Sequence, residues 1–228
     1  MSAWIAKLSE TFIETEYYKL ILDGIKNTMI LTAGALVIGV IIGILISVIK
    51  FLSEDSVPFK ILSYVCDFYV TAVRGIPVVV LLLVFYYIIL KALDGVLVGM
   101  IAFGINSGAY MAELIRAGLN AVDYGQTEAG RSLGLTRLET MRYVILPQAV
   151  RHILPAVGNE FVALLKETSV AGYVAVVDLT RAGNLVRNNT YDAVNPLMLV
   201  AVVYLVLVVL LTNILGKVER KLNAAETR

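Results

Sequence analysis

The sequence has almost none of the residues from which most active sites are built. Among its 228 residues there is one cysteine, Cys66, and one histidine, His152. A single cysteine excludes an internal disulfide and any multi-cysteine metal site. A lone histidine beside Arg151, at the edge of an apolar run, reads as structural and is assigned no chemistry. No Ser/His/Asp or Cys/His arrangement with workable spacing occurs, so enzyme chemistry is not expected, and no metal site is assigned. The pattern G-x-x-x-x-G-K-[ST] is also missing, so the chain is not expected to hydrolyse ATP by itself. Charge is scarce. Only 16% of residues are Asp, Glu, Lys or Arg, and the net charge of +1 argues against a general nucleic-acid binder. No internal repeat or low-complexity tract is evident.

Apolar residues are what the chain has in excess. They make up 59% of it, against about 45–50% in a soluble domain. Residues 1–22 place Trp4, Ile5, Leu8, Phe12 and Ile13 at helical spacing among mixed charges. We read an interfacial amphipathic segment anchored by Trp4, with a frayed tail as the alternative. It has no apolar core behind a basic start and so is not a cleaved signal peptide. A membrane domain is expected over 23–217, with a polar elbow at about 122–150, and a cytoplasmic tail over 218–228.

Five spans are expected in that domain, making an all-α polytopic membrane protein. Residues 27–49 carry no charge and are long enough for a bilayer core of about 30 Å, which takes ~20 helical residues. Gly34, Gly39 and Gly43 within them would let another helix approach closely. The second run, 61–90, is too long for one straight span, and Asp67, Arg74 and Pro77 interrupt it. A break is expected near Arg74–Pro77, since proline removes a backbone donor and clashes with the preceding turn. Broken membrane helices tend to face protein or a water-filled cavity. Residues 95–112 form the third span, continuing helically towards Arg116. Glu113 and Arg116, three apart, read as an ion pair. Residues 153–177 form the fourth span and carry Pro155, Asn159, Glu160, Lys166 and Glu167. A polar link over 178–192 precedes the fifth span, 193–216.

Between the third and fourth spans lies the polar segment EAGRSLGLTRLETMRYVILP, Glu128 to Pro147. Asp123 followed by Gln126, and Thr136 followed by Glu139, each place a capping oxygen three residues before Glu or Gln. Gly134 can end the first helix, and Pro147 is expected to end the second at Leu146. The segment reads as helix, tight turn, helix, and suggests a docking surface.

Loop charge orients the chain. Links one–two and three–four and the carboxyl tail hold Lys50, Lys60, Arg116, Arg131, Arg137, Arg142, Arg151, Lys217, Arg220, Lys221 and Arg228. The other side holds Lys7, Lys19, Lys26, Lys91, Arg181 and Arg187. The positive-inside rule puts the amino terminus outside and the elbow and carboxyl terminus in the cytoplasm.

The spacing of Glu128, Ala129, Gly134, Leu146 and Pro147 resembles the EAA loop of membrane permease subunits of ABC importers: Glu-Ala-Ala, three residues, Gly, nine residues, Ile, any residue, Leu-Pro. The chain departs at Gly130, in place of the second Ala, and at Val144, in place of Ile. Ala109–Gly130, Arg74-Gly75-Ile76-Pro77, Asn159-Glu160 and Leu164–Ser169 are similar to the polar amino-acid branch of that family, the histidine, arginine and glutamine permease type. The resemblance covers roughly Gly24 to Lys217.

It implies a type I importer permease fold in a bacterial inner or plasma membrane. It implies a cytoplasmic pair of ABC ATPase subunits that carry the ATP and Mg; this chain would bind no cofactor. A second permease chain, identical or homologous, and an external or periplasmic amino-acid-binding protein would complete the assembly. Glu128, Ala129, Gly134, Leu135, Thr136, Glu139, Leu146 and Pro147 would form the ATPase-coupling surface.

For the solute, an amino-acid zwitterion needs an anion partner and a cation partner. Arg74 can meet a carboxylate by a bidentate pair. Glu160 and Asp67 can meet an ammonium or guanidinium, and Asn106, Ser107, Tyr110 and Asn159 can add neutral hydrogen bonds. Two acids against one base within the spans suggest a cationic amino acid. The alternatives are that Asp67 pairs with Arg74 and Glu160 with Lys166, and that the solute is glutamine or another small polar molecule. A small ion channel is the alternative of a different class; it would not need the elbow.

Overall fold

The structure is a computed structural model and describes residue 12, residues 16–53 and residues 56–224. Trp4, Ile5, Leu8 and Ile13 of the expected interfacial segment lie outside the described residues. Every regular element among the described residues is helical. Helix α1 spans Tyr17–Leu52, α2 Val57–Gly75 and α3 Val78–Val84, which widens into a π-helical turn over Phe85–Ile89. Helix α4 spans Gly95–Asn120, α5 Tyr124–Ser132 and α6 Arg137–Thr140. After a π-helical turn at Met141–Ile145 comes α7, Leu146–Glu167, tightening to a 3-10 helix over Thr168–Val174. Helix α8 covers Leu179–Thr190 and α9 covers Asn195–Ala224.

Among the described residues, three helices are long and apolar enough to cross a membrane: Tyr17–Leu52, Gly95–Asn120 and Asn195–Arg220. Helices α2 and α3 with its π-turn, bent by 107°, make a fourth if the broken pair counts as one span. The break falls at Ile76-Pro77, where it was expected. Pro77 takes an extended ψ of 133° and caps α3, so its missing amide falls where no helical bond is needed.

Three expectations are corrected. The fourth run is helical from Leu146 to Glu167 rather than from residue 153, and its last stretch to Val174 is 3-10. Pro155 lies inside α7 without ending it. Pro147 does not end the second elbow helix. The π-helical turn before it bonds the Leu146 amide to the Met141 carbonyl, and that wider turn gives the proline ring room where a regular helix would clash. The link over 178–192 is not merely polar. It holds α8, whose Leu179, Ala182 and Val186 recur at helical spacing and are buried. Helix α9 runs on to Ala224, within the residues expected as a tail, without bearing on where the membrane domain ends.

The described residues form two compact units. The first takes residues up to Val37, Ile76–Gly104 and Ala163–Leu210. Its core joins Leu31, Ala35, Leu82, Ala102, Phe103, Leu164 and Val174. A second cluster seats α8 through Ile21, Leu179, Ala182, Val186 and Val200. Along the chain entering α8, several polar groups of this unit are paired. Asn27 Nδ2 donates to the Val177 carbonyl at 2.9 Å, and the Leu179 amide donates to Thr28 Oγ1 at 3.0 Å. Asp178, fully buried, accepts from the Thr180 and Arg181 amides and caps α8.

The second unit takes Ile38–Gly75, Ile105–Val162 and the chain from Leu211. Helices α1 and α4 meet here with almost no space between them. A Cβ on Gly39 would lie 2.8 Å from Ser107 Oγ, and one on Gly43 would lie 2.6 Å from Met111 Cβ and 3.0 Å from its backbone. These are the close approaches that the glycine spacing predicted. Tyr69 of α2 donates its hydroxyl to the Ile105 carbonyl, fixing α2 against the same stretch of α4.

Candidate functional site

All seven residues expected at a solute site lie in the second unit, five of them in two sets, with Asp67 and Asn159 outside both. In the first set, Ser107 of α4 is fully buried and donates its hydroxyl to Glu160 Oε1 of α7 at 2.8 Å. Asn106, adjacent in sequence, is buried too. A half-buried carboxylate in an apolar helix is costly unless it is paired, and Ser107 supplies part of that pairing. Glu160 is not bridged to Lys166, which is exposed.

In the second set, Arg74 at the end of α2 stacks over the Tyr110 ring, 5.1 Å from guanidinium carbon to centroid. Its Nη1 also lies 4.0 Å from Glu113 Oε2. Glu113 is already gripped by Arg116, through Nη2 to Oε2 and Nε to Oε1, which is the ion pair expected from their spacing. Arg74 is thus held by an aromatic face and the edge of an occupied carboxylate. That leaves a planar donor fork suited to a carboxylate ligand.

Asp67 stands apart from both sets. Its Oδ1 pairs with Lys50 Nζ of α1 rather than with Arg74. Helical spacing put Asp67 and Arg74 on one face, but residue spacing within α2 carries no information about the lysine α1 brings alongside. Asn159 is exposed. Sequence reasoning missed Lys50 as a partner. Its place at the end of the first uncharged run, beside a span carrying an acid, is the signal that pointed to it.

The elbow is built largely as its capping residues dictate. Asp123 caps α5, accepting from the Gly125 amide at 2.7 Å. Gln126 does not complete a box with it; its Oε1 accepts from Gln148 at 3.3 Å. Gly134 ends α5 in the left-handed region at φ 83°, a conformation that disfavours any side chain. The second box is complete. Thr136 Oγ1 accepts from the Glu139 amide at 3.3 Å, and Glu139 Oε2 accepts from the Thr136 amide at 2.8 Å. The Thr136 hydroxyl and amide hold the Glu139 carboxyl below the usual carboxylate range. The box is therefore fully formed above that range and loosens as pH falls through the lowered pKa.

Gly130, where the resembled pattern has alanine, also has a reason. It is buried, and a Cβ there would lie 2.7 Å from Thr140 Cγ2 of α6. Helices α5 and α6 approach more closely than alanine would allow.

The outer surface of the elbow is apolar where a solvated turn would be polar. Leu133 is 83% exposed, Tyr124 73%, Leu138 64% and Tyr143 63%. Glu128 and Ala129 are exposed beside them. Exposed large apolar side chains on an otherwise polar elbow are a feature of surfaces that contact protein or membrane.

Thr136→Ala removes one half of the box and is expected to cost about 1 kcal/mol of local stability. Amide hydrogen exchange over 137–140 should then be about five-fold faster, with α4 unaffected. Equal rates in both proteins would show that the box does not hold the elbow.

Residues 35–223 match the family described as binding-protein-dependent transport system inner membrane component. Among curated proteins, the chain is 35% identical over 208 residues to the arginine transport system permease protein ArtQ of Bacillus subtilis, covering 90% of this chain and 93% of that one. It is 33% identical over 209 residues to the glutamine transport system permease protein GlnP of Escherichia coli, again covering 90% and 93%. Among solved structures, a chain of an amino acid ABC transporter crystallised with histidines matches with TM-score 0.83 at 38% identity, over 91% of this chain and 96% of that one. A chain of the MetNI methionine ABC transporter in an inward-facing form matches with TM-score 0.75 at 20% identity, over 89% and 96%, a likeness of fold.

Proposed function

The chain belongs to the family of inner membrane components of binding-protein-dependent transport systems, and from that premise we propose that it carries cationic amino acids through a path lined by Glu160 and Arg74. It is an ABC importer permease of the polar amino-acid type, a multi-pass membrane subunit without an ATPase site of its own. Such a permease works with an ATPase partner and a binding protein.

The observation that carries the cationic reading is the Ser107–Glu160 pair. It fixes a carboxylate within an apolar helix bundle with no lysine or arginine bridged to it among the described ion pairs. A positively charged ligand group would supply the missing countercharge. Arg74 over Tyr110 would take the ligand carboxylate. Asp67 is already neutralised by Lys50 and contributes less than its charge alone suggests. Glutamine is the second reading, favoured by the likeness to glutamine permeases. Glu160 would then meet only the α-ammonium.

In this reading α7, with Pro155 and its charged residues, is the fourth of five crossings and lines the path. The amino terminus lies outside, and two permease chains pair, either identical or homologous. The elbow lies in the cytoplasm. Its exposed Leu133, Leu138 and Tyr143, with Glu128, seat in the ATPase, so that closure of the ATPase pair moves the helices.

The test is to purify the tagged chain from native membranes and assay what accompanies it. A stoichiometric P-loop ATPase is expected, with hydrolysis rising when arginine-loaded binding protein is added. Leu133→Asp with Leu138→Asp buries charge in that contact and should lower ATPase recovery at least thirty-fold. Equal recovery would remove the elbow from the interface. A chain that purifies alone and conducts ions in bilayers would establish the channel instead.

A further inference from the structure

The geometry points to Arg137 as the positioning residue that hands movement of the elbow to helix α1, and through α1 to the carboxylate at Glu160; this rests on the elbow being the ATPase contact. Arg137 is the first residue of α6, half-buried directly after the Thr136 cap. Its Nη2 donates to the Phe51 carbonyl at 2.7 Å, and its guanidinium lies 4.3 Å from the centroid of the Phe51 ring. Phe51 belongs to the last turn of α1, where carbonyls have no partner within the helix and the helix dipole favours a cation. One side chain therefore makes a charge-assisted hydrogen bond and a ring contact to the same residue, across 86 positions of sequence. Lysine cannot reproduce both, since its ammonium has no planar face to stack.

Beyond Phe51, α1 has little room to absorb a displacement. It runs as one helix from Tyr17 to Leu52. Lys50, one residue before Phe51, is pinned to Asp67 of α2. Gly43 lies against the Met111 backbone and Gly39 against Ser107, with no space for even a methyl group. Ser107 holds Glu160. The distance from Phe51 to Gly39 along α1 is about 18 Å at 1.5 Å per residue. A push on the elbow therefore reaches the hydroxyl that orients Glu160 through one rigid element and two tight contacts. Arg137 is the link that α6 supplies to this series.

The assembled transporter, with its ATPase and arginine-loaded binding protein in proteoliposomes, tests this through the arginine taken up per ATP hydrolysed. Arg137→Ala should lower that ratio at least ten-fold while hydrolysis continues. Arg137→Lys, which keeps a donor, and Phe51→Ala, which keeps the carbonyl, should each lower it two- to three-fold. The double variant Arg137→Ala/Phe51→Ala should fall no further than Arg137→Ala. A purely structural link would lower uptake and hydrolysis together, leaving the ratio within two-fold of the unaltered protein, and that result overturns the inference. If Arg137→Ala does not assemble, unchanged ratios in both Arg137→Lys and Phe51→Ala overturn it equally. Absence of ATP-driven uptake in the unaltered protein would instead remove the importer reading itself, before any variant is compared.

Discussion

Glu160→Gln is expected to lower arginine uptake by about thirty- to a hundred-fold while the assembled transporter still forms. The substitution keeps the shape of the side chain and an oxygen that Ser107 can still donate to. Only the charge is lost. A hydrogen bond to a charged group contributes about 1.5–3 kcal/mol, and a buried ion pair somewhat more. At 1.36 kcal/mol per factor of ten, a loss of 2–2.7 kcal/mol gives that range. Measuring glutamine beside arginine separates the two solute readings. If Glu160 meets a side-chain cation, arginine uptake falls and any glutamine uptake does not. If it meets the α-ammonium, both fall alike. Unchanged arginine uptake in the variant would sink the cationic proposal.

Ser107 makes the same test sharper. Ser107→Ala leaves the charge of Glu160 in place but removes the one bond seen to hold it, so it should reduce uptake by a smaller factor than Glu160→Gln. The order of the two variants distinguishes a carboxylate that binds from one that only pairs with its neighbour.

How much of this was legible depended on whether the determining contact was local. The α5–α6 elbow could be read because its ends are set within four residues. Gly134 has the φ only glycine adopts easily, and Thr136 with Glu139 satisfies its own amides. The break at Pro77 could be read because a missing amide acts on its own backbone. The close approach at Gly39 and Gly43 could be read as a tendency, although nothing in the spacing named Ser107 and Met111 as what lies opposite.

Of the readings that failed, those on Asp67 and α8 depended on partners from other elements, and that on Pro147 on an irregular turn. Arg74 was the alternative partner for Asp67, but Lys50 arrives from another helix and takes it. Pro147 looked like a helix end because a regular helix cannot continue through it, and the π-helical turn at Met141–Ile145 is the local change that lets it. Helix α8 looked like a polar link because its charged face dominates its composition. Its buried stripe is short, with Leu179, Ala182 and Val186 as its only apolar side chains beyond Gly183, and needs Ile21 and Val200 to give it a place. The Arg137–Phe51 contact had no sequence signal, since neither residue type is unusual at its position.

Gly43→Val is expected to be the most destabilising single change in the membrane helices. Glycine inside a membrane helix is often only tolerated, so its presence alone decides nothing. The distances here do. A Cβ at residue 43 meets Met111 Cβ at 2.6 Å, but also the Met111 carbonyl carbon at 3.0 Å and the Ala112 amide nitrogen at 3.1 Å. A side chain can rotate away; the backbone of α4 cannot without moving the helix. Overpacking of this kind costs about 1–3 kcal/mol, and valine adds two more carbons to the clash. For a chain of this length that corresponds to a melting temperature lower by roughly 5–10 °C, measured on the detergent-solubilised protein. Gly216→Val is the control, because nothing lies within 4 Å of a Cβ there and no shift is expected. Gly39→Ala is more informative about function than about stability. Its Cβ would lie 2.8 Å from Ser107 Oγ and 2.9 Å from Ser107 Cβ, so relief of the clash must move the residue that orients Glu160. That variant should lose uptake out of proportion to its melting shift, whereas Gly43→Val should lose both in step. If Gly43→Val and Gly216→Val melt at the same temperature, α1 and α4 do not pack as closely as described, and the path from the elbow to Glu160 loses its rigid element.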